Sequence, residues 1–335
     1  MNILSLRGGG IRGVATAAFL AEYEGAVGSP CHEHFDLIAG TSTGAIIAVG
    51  LGLGLAASDI LQFYFDRAST IFQKRFGHKI GLVSSRYDST ELLSELNIAF
   101  SYAWLKSTKT RVMVSTTRMN DLSARFWKSW RHDILAGHAA ASSAAAPVYF
   151  DPVPIKDVDD AGKQYVDGRA DHSLYSDRSG SIGHYADGGL HSNNPALVAL
   201  AEAKDIKRRS QNHTEAKGVS ILDVACPEPK IKPPLRPGVL GFGPEIVETF
   251  MTAGQDATEE ILRRELGGDY QIVRPPLDCA SPALDDVSES NLLELEEIGR
   301  RQFWVEAERG LFGEAIRLKG EEQSIYETIA EEDAA

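Results

Sequence analysis

Two consecutive strand–turn–helix units at the start of the chain constrain its fold more than any other feature. The first joins the apolar segment NILSL to the Ala-rich helical segment VATAAFLAEYEGA through a glycine turn, RGGGIRG. The second joins FDLIAG to the apolar segment AIIAVGLGLG through TSTG. Repeated units of this kind are typical of a parallel sheet that is covered by helices on both faces. We therefore predict an α/β fold with three layers, α/β/α, and a mostly parallel central sheet.

Further apolar segments extend this pattern along the chain. β-Branched residues predict core strands at 110–117 and 217–225. Helical spacing of apolar residues predicts further helices, at 58–72, 88–96, 132–150, 244–266 and 291–312. Six prolines between Pro227 and Pro244 predict an extended loop between these later elements.

The charge and the cysteines exclude several classes of protein. With 47 acidic and 34 basic side chains, the net charge is -13, so the average surface would repel a nucleic-acid polymer. Three cysteines without metal-ligand or redox spacing argue against a disulfide framework or a zinc site. The N-terminus lacks the basic and apolar regions of a secretory signal, and glycines interrupt the uncharged segment 37–58. We predict a cytoplasmic protein without a transmembrane segment.

Ser42 lies in the motif G-T-S-T-G between a predicted strand and a predicted helix. The motif alone is equally typical of a tight turn, because glycine and serine are favoured there. Its position between strand and helix favours a nucleophile elbow, in which Gly40 and Gly44 let strand and helix approach closely and Thr43 begins the helix. Ser42 is thus a candidate nucleophile.

A serine nucleophile needs a base, and the base separates the classes of serine hydrolase. An α/β-hydrolase uses a histidine late in the chain, but the last histidine here is His213. Asp187 follows an apolar segment and precedes Gly188 and Gly189, which predicts a carboxylate in a turn at a strand end near Ser42. A plain Asp-Gly-Gly turn is the alternative. A carboxylate can accept the serine proton directly when both groups are buried in a dry pocket.

A glycine-rich turn follows the first strand and fits two kinds of site. It consists of Gly8, Gly9, Gly10, Ile11, Arg12 and Gly13. A dinucleotide-binding loop would need an acidic residue at the end of the second strand, whereas Glu33 and Asp36 precede that strand. No Lys-Ser or Lys-Thr pair follows, so a Walker loop is excluded. Backbone N–H groups aimed at a developing oxyanion are the better interpretation.

Taken together and in this order, GGGIRG, GTSTG and DGG followed by NNP resemble the motifs of the patatin-like phospholipases. The segment AAASSAAAPVYFDP (139–152) resembles an Ala/Ser-rich helix of the same family, so the resemblance spans at least 2–225. It implies a patatin-like three-layer fold without a cofactor or a metal ion. Within it, 1–226 would form the catalytic core, and the Pro-rich loop and helical part at 227–335 would complete the same domain.

The resemblance also implies an activity and roles for individual residues. Ser42 would be the nucleophile, Asp187 its general base, and backbone N–H groups around Gly9 and Gly10 the oxyanion donors, with Arg12 steadying the loop. The reaction would be that of a phospholipase A, cleaving fatty-acyl esters of membrane glycerophospholipids through an acyl-enzyme. Contact with the membrane would be peripheral, and the oligomeric state stays open.

The whole pattern looks most like that of stand-alone bacterial members of the family. Some of these are effectors that are activated by cyclic dinucleotides and degrade membranes during anti-phage defence. A cyclic-dinucleotide activator is therefore an expectation for this chain. Two alternatives from other classes are a catalytically silent lipid-binding or scaffold protein and a dinucleotide-dependent oxidoreductase.

Several residues depart from the expected motifs or compete with them. Many relatives have Asp before the three glycines, where this chain has Arg7. The change would either add a positive charge that suits an anionic headgroup or have no effect because only the backbone of the loop acts, and we favour the second. Asp167 shares the Asp-Gly pair but lacks the continuation, and we assign it to a polar insertion at 156–182. His32 and His34 are more typical of a solvated loop than of a metal site.

Overall fold

A computed structural model of the chain describes residues 1–73, 85–156, 182–209, 218–229, 252, 254–313 and 316. The strands are β1 (Asn2–Leu6), β2 (Leu37–Thr41), β3 (Arg111–Arg118), β4 (Ser123–Lys128), β5 (Val153–Lys156), β6 (Ile182–Asp187), β7 (Ser220–Val224) and β8 (Tyr270–Val273). The helices are α1 (Gly13–Val27), α2 (Cys31–His34), α3 (Thr43–Leu53), α4 (Ala57–Ile71), α5 (Ser89–Ala99), α6 (Ala136–Ala144), α7 (Gly189–Ser192), α8 (Ala196–Arg209), α9 (Gln255–Leu266) and α10 (Glu289–Glu308).

The strands form one 8-stranded sheet in the order β5-β6-β3-β2-β1-β7-β8, with β4 paired to β3 outside this path. All pairings among β3, β2, β1, β7 and β8 are parallel, whereas β4 and β6 each run antiparallel to β3. Helices connect the parallel strands β1, β2, β3, β7 and β8 along the chain. The predicted mostly parallel α/β sheet is therefore confirmed.

The alternation of side chains along the inner strands creates two cores on opposite faces of the sheet. Leu4 and Leu6 of β1 and Ile38 of β2 face the larger core, which α1, α3, α6 and α10 cover. Ile3 and Leu37 face the smaller core, which α8 and α9 cover. The predicted three-layer arrangement is therefore confirmed.

The ends of β2 and β6 meet head to head on one edge of β3. β2 pairs with β3 from Arg111 to Ser115, and β4 occupies the opposite edge, so β6 pairs with the last residues of β3 just beyond the end of β2. In this register Thr41 lies opposite Ser115 and Asp187 lies opposite Thr116, the next residue. The two strands approach from opposite directions, and their ends place Ser42 and Asp187 next to each other.

The C-terminal third contributes to this sheet and to its larger core. β8 pairs in parallel with β7 in this sheet, with Ile221 opposite Tyr270 and Val224 opposite Val273. Helix α10 packs directly on α1, where a Cβ at Gly299 would collide with the backbone carbonyl of Ala15. The integration of these elements supports the proposal that 227–335 completes the same domain.

Some predicted elements differ from those in the structure, and others lie outside the described residues. The helix predicted at 132–150 is shorter, because α6 ends at Ala144 before Pro147, and residues that precede a proline avoid the helical conformation. Of the helix predicted at 244–266, the described part is mainly α9. Most of the Pro-rich segment, together with Asp167 and its insertion, lies outside the described residues. No helix in the described ranges is both long and apolar enough to cross a membrane.

Candidate active site

Ser42 occupies a strained turn between β2 and α3. Its backbone has φ 55° and ψ -128°, a left-handed conformation that is rare for a residue with a side chain. Such strain costs about 1–3 kcal/mol and is found mostly at functional sites. The Ser42 N–H donates to the Ser143 hydroxyl of α6 at 2.8 Å, which holds the turn from below. The geometry is that of a nucleophile elbow.

Two glycines allow the close approach that this elbow requires. A Cβ at Gly40 would collide with the backbone of Gly44 and Ala45, and a Cβ at Gly44 would collide with the carbonyl oxygen of Leu6. Helix α3 therefore starts in direct contact with the backbone of β1 and β2. Next to the elbow, the Thr43 hydroxyl hydrogen-bonds to the buried Tyr64 hydroxyl of α4.

Asp187 ends β6 with a fully buried carboxylate. Its Oδ1 accepts the N–H of Gly189 at 2.6 Å, and its own N–H donates to the carbonyl of Ala145 at 3.0 Å. Its Oδ2 is buried and makes no hydrogen bond with the residues that the structure describes. Gly188 packs against the Ser115 carbonyl, where a Cβ would collide. The unpartnered oxygen is therefore held in place and is available to accept a proton.

The protonation of Asp187 is set mainly by its surroundings. Burial raises the pKa of this carboxyl to about 6, although the Ser42 hydroxyl and the Gly189 N–H favour the charged form and oppose the shift. The Ser42 hydroxyl is thus near enough to stabilise the carboxylate without completing a hydrogen bond to Oδ2. Hydrogen bonds of this kind often tighten only when substrate is bound. Near neutral pH, Asp187 is charged and can act as a base.

The glycine turn after β1 presents backbone N–H groups beside Ser42. In the described part of the chain, the N–H groups of Gly8, Ile11 and Arg12 donate to backbone carbonyls, whereas those of Gly9 and Gly10 do not. Gly10 lines the same cavity as Ser42 and has φ +59°, a conformation that favours glycine. The Gly9 and Gly10 N–H groups are therefore candidate oxyanion donors.

Contacts from distant parts of the chain fix the glycine turn. Arg12 is buried, and its side chain turns back and donates from Nε to the Gly9 carbonyl at 3.1 Å. The Ile11 N–H donates to the Leu284 carbonyl at 2.9 Å, and Asn193 exchanges hydrogen bonds of 3.4 Å with Gly8. The segments after Asp187 and before α10 therefore both hold the turn.

Arg7, immediately before the glycines, is only 1% exposed and sits in a buried ionic network. Its guanidinium donates to Asp223 at 3.1 and 2.6 Å, to Gln255 at 2.5 Å and to Glu259 at 2.9 Å. Asp223 also accepts from Asn194 at 2.8 Å. Burial alone would lower the pKa of Arg7, but the two carboxylates outweigh it and raise the pKa. The positive charge is therefore neutralised inside the protein and does not face a lipid headgroup.

Replacing Arg7 by methionine is expected to lower the free energy of unfolding by about 3 kcal/mol or more, because Asp223 and Glu259 would stay buried without their counter-ion. Urea unfolding followed by circular dichroism measures this loss. The matched control is Arg264→Met, which removes an exposed arginine paired with Glu260 and is expected to cost less than about 1 kcal/mol. Equal losses in the two variants would show that the buried network contributes no more to stability than an exposed ion pair.

An apolar cavity, which we call the Ser42 cavity, opens at the nucleophile. Its volume is about 640 Å³, the part open to solvent included. Besides Ser42 and the glycine turn, its walls consist mainly of apolar side chains from α3, α4, α5 and the segment after α6, among them Ile46, Phe63, Ile71, Leu92 and Phe150. Such a space suits a hydrocarbon chain rather than a charged group.

Of the residues that the three motifs predicted, Gly10, Ile11, Ser42 and Thr43 line this cavity, and the others flank these four along the chain or lie at the end of β6. Gly13 begins α1 and packs on Thr43, where a Cβ would collide. Asn194 Oδ1 accepts the N–H of Ala196 at 2.9 Å at the start of α8. His34, by contrast, hydrogen-bonds to Ser29 at 2.6 Å and lies before β2, whereas Ser42 follows this strand. No metal-binding group of three His, Cys, Asp or Glu side chains occurs among the described residues.

Three contributors to the site were missed from the sequence. Ser143 lies in the Ala/Ser-rich segment that was singled out, but its contact with the Ser42 N–H was not predicted. Asp223 could have been suspected, because a single acidic residue interrupts an apolar strand segment. Leu284 lies in an irregular segment without periodicity, so no sequence signal pointed to it.

Comparison with known proteins identifies the family of the chain. The family model described as "Patatin-like phospholipase" matches residues 4–200. A cGAMP-activated phospholipase from Escherichia coli is 29% identical over 90% of this chain and 88% of the relative. Another from Vibrio cholerae is also 29% identical, over 90% of each chain. The solved structure of VipD from Legionella pneumophila matches with a TM-score of 0.44 and 10% identity, over 90% of this chain and 65% of that chain. Because the family model matches more than half of its residues, the chain belongs to the patatin-like phospholipase family.

Proposed function

We propose that this chain hydrolyses fatty-acyl esters of membrane glycerophospholipids by means of a Ser42–Asp187 dyad. Membership of the family makes the chain a lipid-hydrolysing esterase. The observation that supports the dyad is the position of Ser42, at the wall of an apolar cavity and beside a buried carboxylate whose Oδ2 has no partner among the described residues. No histidine is needed in this arrangement.

The reaction follows from this geometry in two halves. Asp187 accepts the hydroxyl proton as Ser42 Oγ attacks the ester carbonyl carbon, and the Gly9 and Gly10 N–H groups stabilise the oxyanion. Asp187 then returns the proton to the departing alcohol of the lysophospholipid, which leaves an acyl-enzyme. In the second half, Asp187 activates a water molecule that releases the fatty acid, and Ser42 is restored. The acyl chain occupies the Ser42 cavity throughout.

A cyclic dinucleotide is the proposed activator of this chain. The supporting observation is the likeness to two cGAMP-activated phospholipases over 90% of this chain. Action at the membrane surface and a role in anti-phage defence stay predictions.

Release of fatty acid from phospholipid vesicles tests the activity and its activation together. Purified protein is incubated with vesicles of phosphatidylethanolamine and phosphatidylglycerol, with and without cGAMP, and products are identified by mass spectrometry. We expect fatty acid and lysophospholipid, with a rate that rises about tenfold or more with cGAMP. Products without any effect of cGAMP would contradict the activator. If neither product forms with cGAMP or without it, the phospholipase function is contradicted.

The raised pKa of Asp187 predicts an acid limit on activity. Since the base must be unprotonated, kcat/KM should be constant above about pH 7 and fall toward tenfold per pH unit below about pH 6. A soluble short-chain ester, assayed from about pH 5 to 8, separates this effect from changes in the vesicles. Intrinsic fluorescence at each pH controls for unfolding. A profile that stays flat down to pH 5 would contradict the role of Asp187 as the base.

A further inference from the structure

A second concavity, which we call the α4–α5 groove, adjoins the Ser42 cavity. Its volume is about 860 Å³, the open part included. Ile46 and Phe63 line both spaces, so these two side chains form a common wall. Ile46 lies four residues after Ser42 on α3, hence one helical turn away on the same face. The part of the wall that Ile46 forms therefore lies one helical turn from Ser42, whose Oγ is the reacting atom.

The two spaces lie end to end along the seam between α4 and α5. The later residues of α4, such as Ala68 and Ile71, line the Ser42 cavity, and the earlier residue Ile60 lines the groove. On α5 the order is reversed, since Leu92 lines the cavity and Ala99 the groove. From Ile60 to Ile71 the seam is about 16 Å long at the helical rise of 1.5 Å per residue.

The chemistry of the groove suits the end of a hydrocarbon chain. Its inner surface is formed by Ile46, Ile60 and Phe100, which are buried apolar side chains. Its charged residues are Asp59 and Asp66, which are exposed, and the ion pair of Arg67 with Glu95, so the unbalanced charge of the rim is negative and would repel an anionic phosphate headgroup. An acyl chain that continues from Ser42 past the wall would bury methylene groups without bringing a charge to this rim.

We propose that Phe63 sets the length of the acyl chain that the enzyme accepts, and that the α4–α5 groove receives the distal carbons of longer chains when this side chain turns aside. Phe63 is partly buried on α4, where it packs against the larger core and edge-on to Tyr64, so it has more freedom to change rotamer than Ile46, which is 6% exposed. This inference rests on the proposed function and deepens it by naming the residue that selects the substrate.

Acyl-chain selectivity of Phe63 variants tests the proposal. The kcat/KM values are measured for a palmitoyl and an octanoyl ester of the same alcohol, with wild type, Phe63→Ala and Phe63→Trp under identical conditions. We expect the palmitoyl-to-octanoyl ratio to rise about tenfold in Phe63→Ala, because the two spaces merge, and to fall by a similar factor in Phe63→Trp. Phe65→Ala, on the same helix but lining neither space, is the matched control and should keep the wild-type ratio.

The outcomes separate this inference from the function on which it rests. Wild-type ratios in both Phe63 variants, with octanoyl hydrolysis retained, would overturn the role of Phe63 and leave the phospholipase function standing. Failure of folded wild type to hydrolyse either ester, both with and without cGAMP, would overturn both. Calorimetric Kd values for palmitate and octanoate give a second ratio that does not depend on turnover, and its direction of change should match that of kcat/KM in each variant.

Discussion

Ser42→Ala is expected to abolish fatty-acid release, with a loss of about 10⁴-fold or more in kcat. The Ser42 side chain lines the apolar cavity together with the glycine turn, and its hydroxyl lies beside the Asp187 carboxylate. The backbone strain at φ 55° remains with alanine, so the free energy of unfolding should change by less than about 1 kcal/mol. The effect would therefore lie in the chemistry and not in the fold.

Labelling with a fluorophosphonate probe, read by mass spectrometry, checks this result independently of the lipid substrate. Wild type should carry one adduct on Ser42, and Ser42→Ala should carry none. Ser58→Ala, which removes an exposed hydroxyl at the start of α4, is the control and should label like wild type. An adduct that persists in Ser42→Ala would place the nucleophile elsewhere and refute the assignment.

Asp187→Asn is expected to reduce kcat by about 10²–10⁴-fold, because the amide cannot accept the serine proton. The same change should make the protein more stable at neutral pH. Burial raises the pKa of Asp187 from an ordinary value of 3.8 to about 6, so ionising it costs more in the folded than in the unfolded chain. The cost grows as pH rises from about 4 to 6 and is complete above that range, where it amounts to about 1–3 kcal/mol.

Urea unfolding of wild type and Asp187→Asn at about pH 5 and pH 8, paired with kcat measurements, tests both halves of this prediction. The gain in unfolding free energy should be larger at pH 8 than at pH 5. The asparagine oxygen can still accept the Gly189 N–H, so loss of that hydrogen bond does not obscure the comparison. Wild-type kcat in Asp187→Asn would contradict the role of Asp187 as the base. A gain in unfolding free energy that is the same at about pH 5 and pH 8 would contradict its buried environment.

The sequence predicted those parts of the site that depend on local backbone. Ser42 and its glycines lie between a strand and a helix, and each transition has a short-range signal in residue type and periodicity. The fold class followed from the same repeated unit and is confirmed. The roles of Ser42 and Asp187 stay predictions until the variants are measured.

Contacts between distant segments could not be predicted in this way. The pattern before Asp187 indicates a strand but carries no information about its direction, so the antiparallel approach of β6 was not foreseen. Arg7 was expected to have no effect because only the backbone of the loop acts, and its buried ionic network was not foreseen, since Asp223 and Glu259 are more than 200 positions away along the chain. Pairing of buried charges is decided by tertiary packing, which single-residue preferences do not encode.

Because β2 and β6 end opposite neighbouring residues of β3, the spacing of residues along β3 sets the distance between Ser42 and Asp187. Neither residue belongs to β3, yet Thr41, which directly precedes Ser42, pairs with Ser115, and Asp187 pairs with Thr116. One inserted residue between these two positions would separate the strand ends by about 3.3 Å and turn one of them to the opposite face. Insertions in the loops between the catalytic residues leave this spacing along β3 unchanged. Among divergent relatives, loop length should therefore vary freely while the spacing along this strand stays fixed.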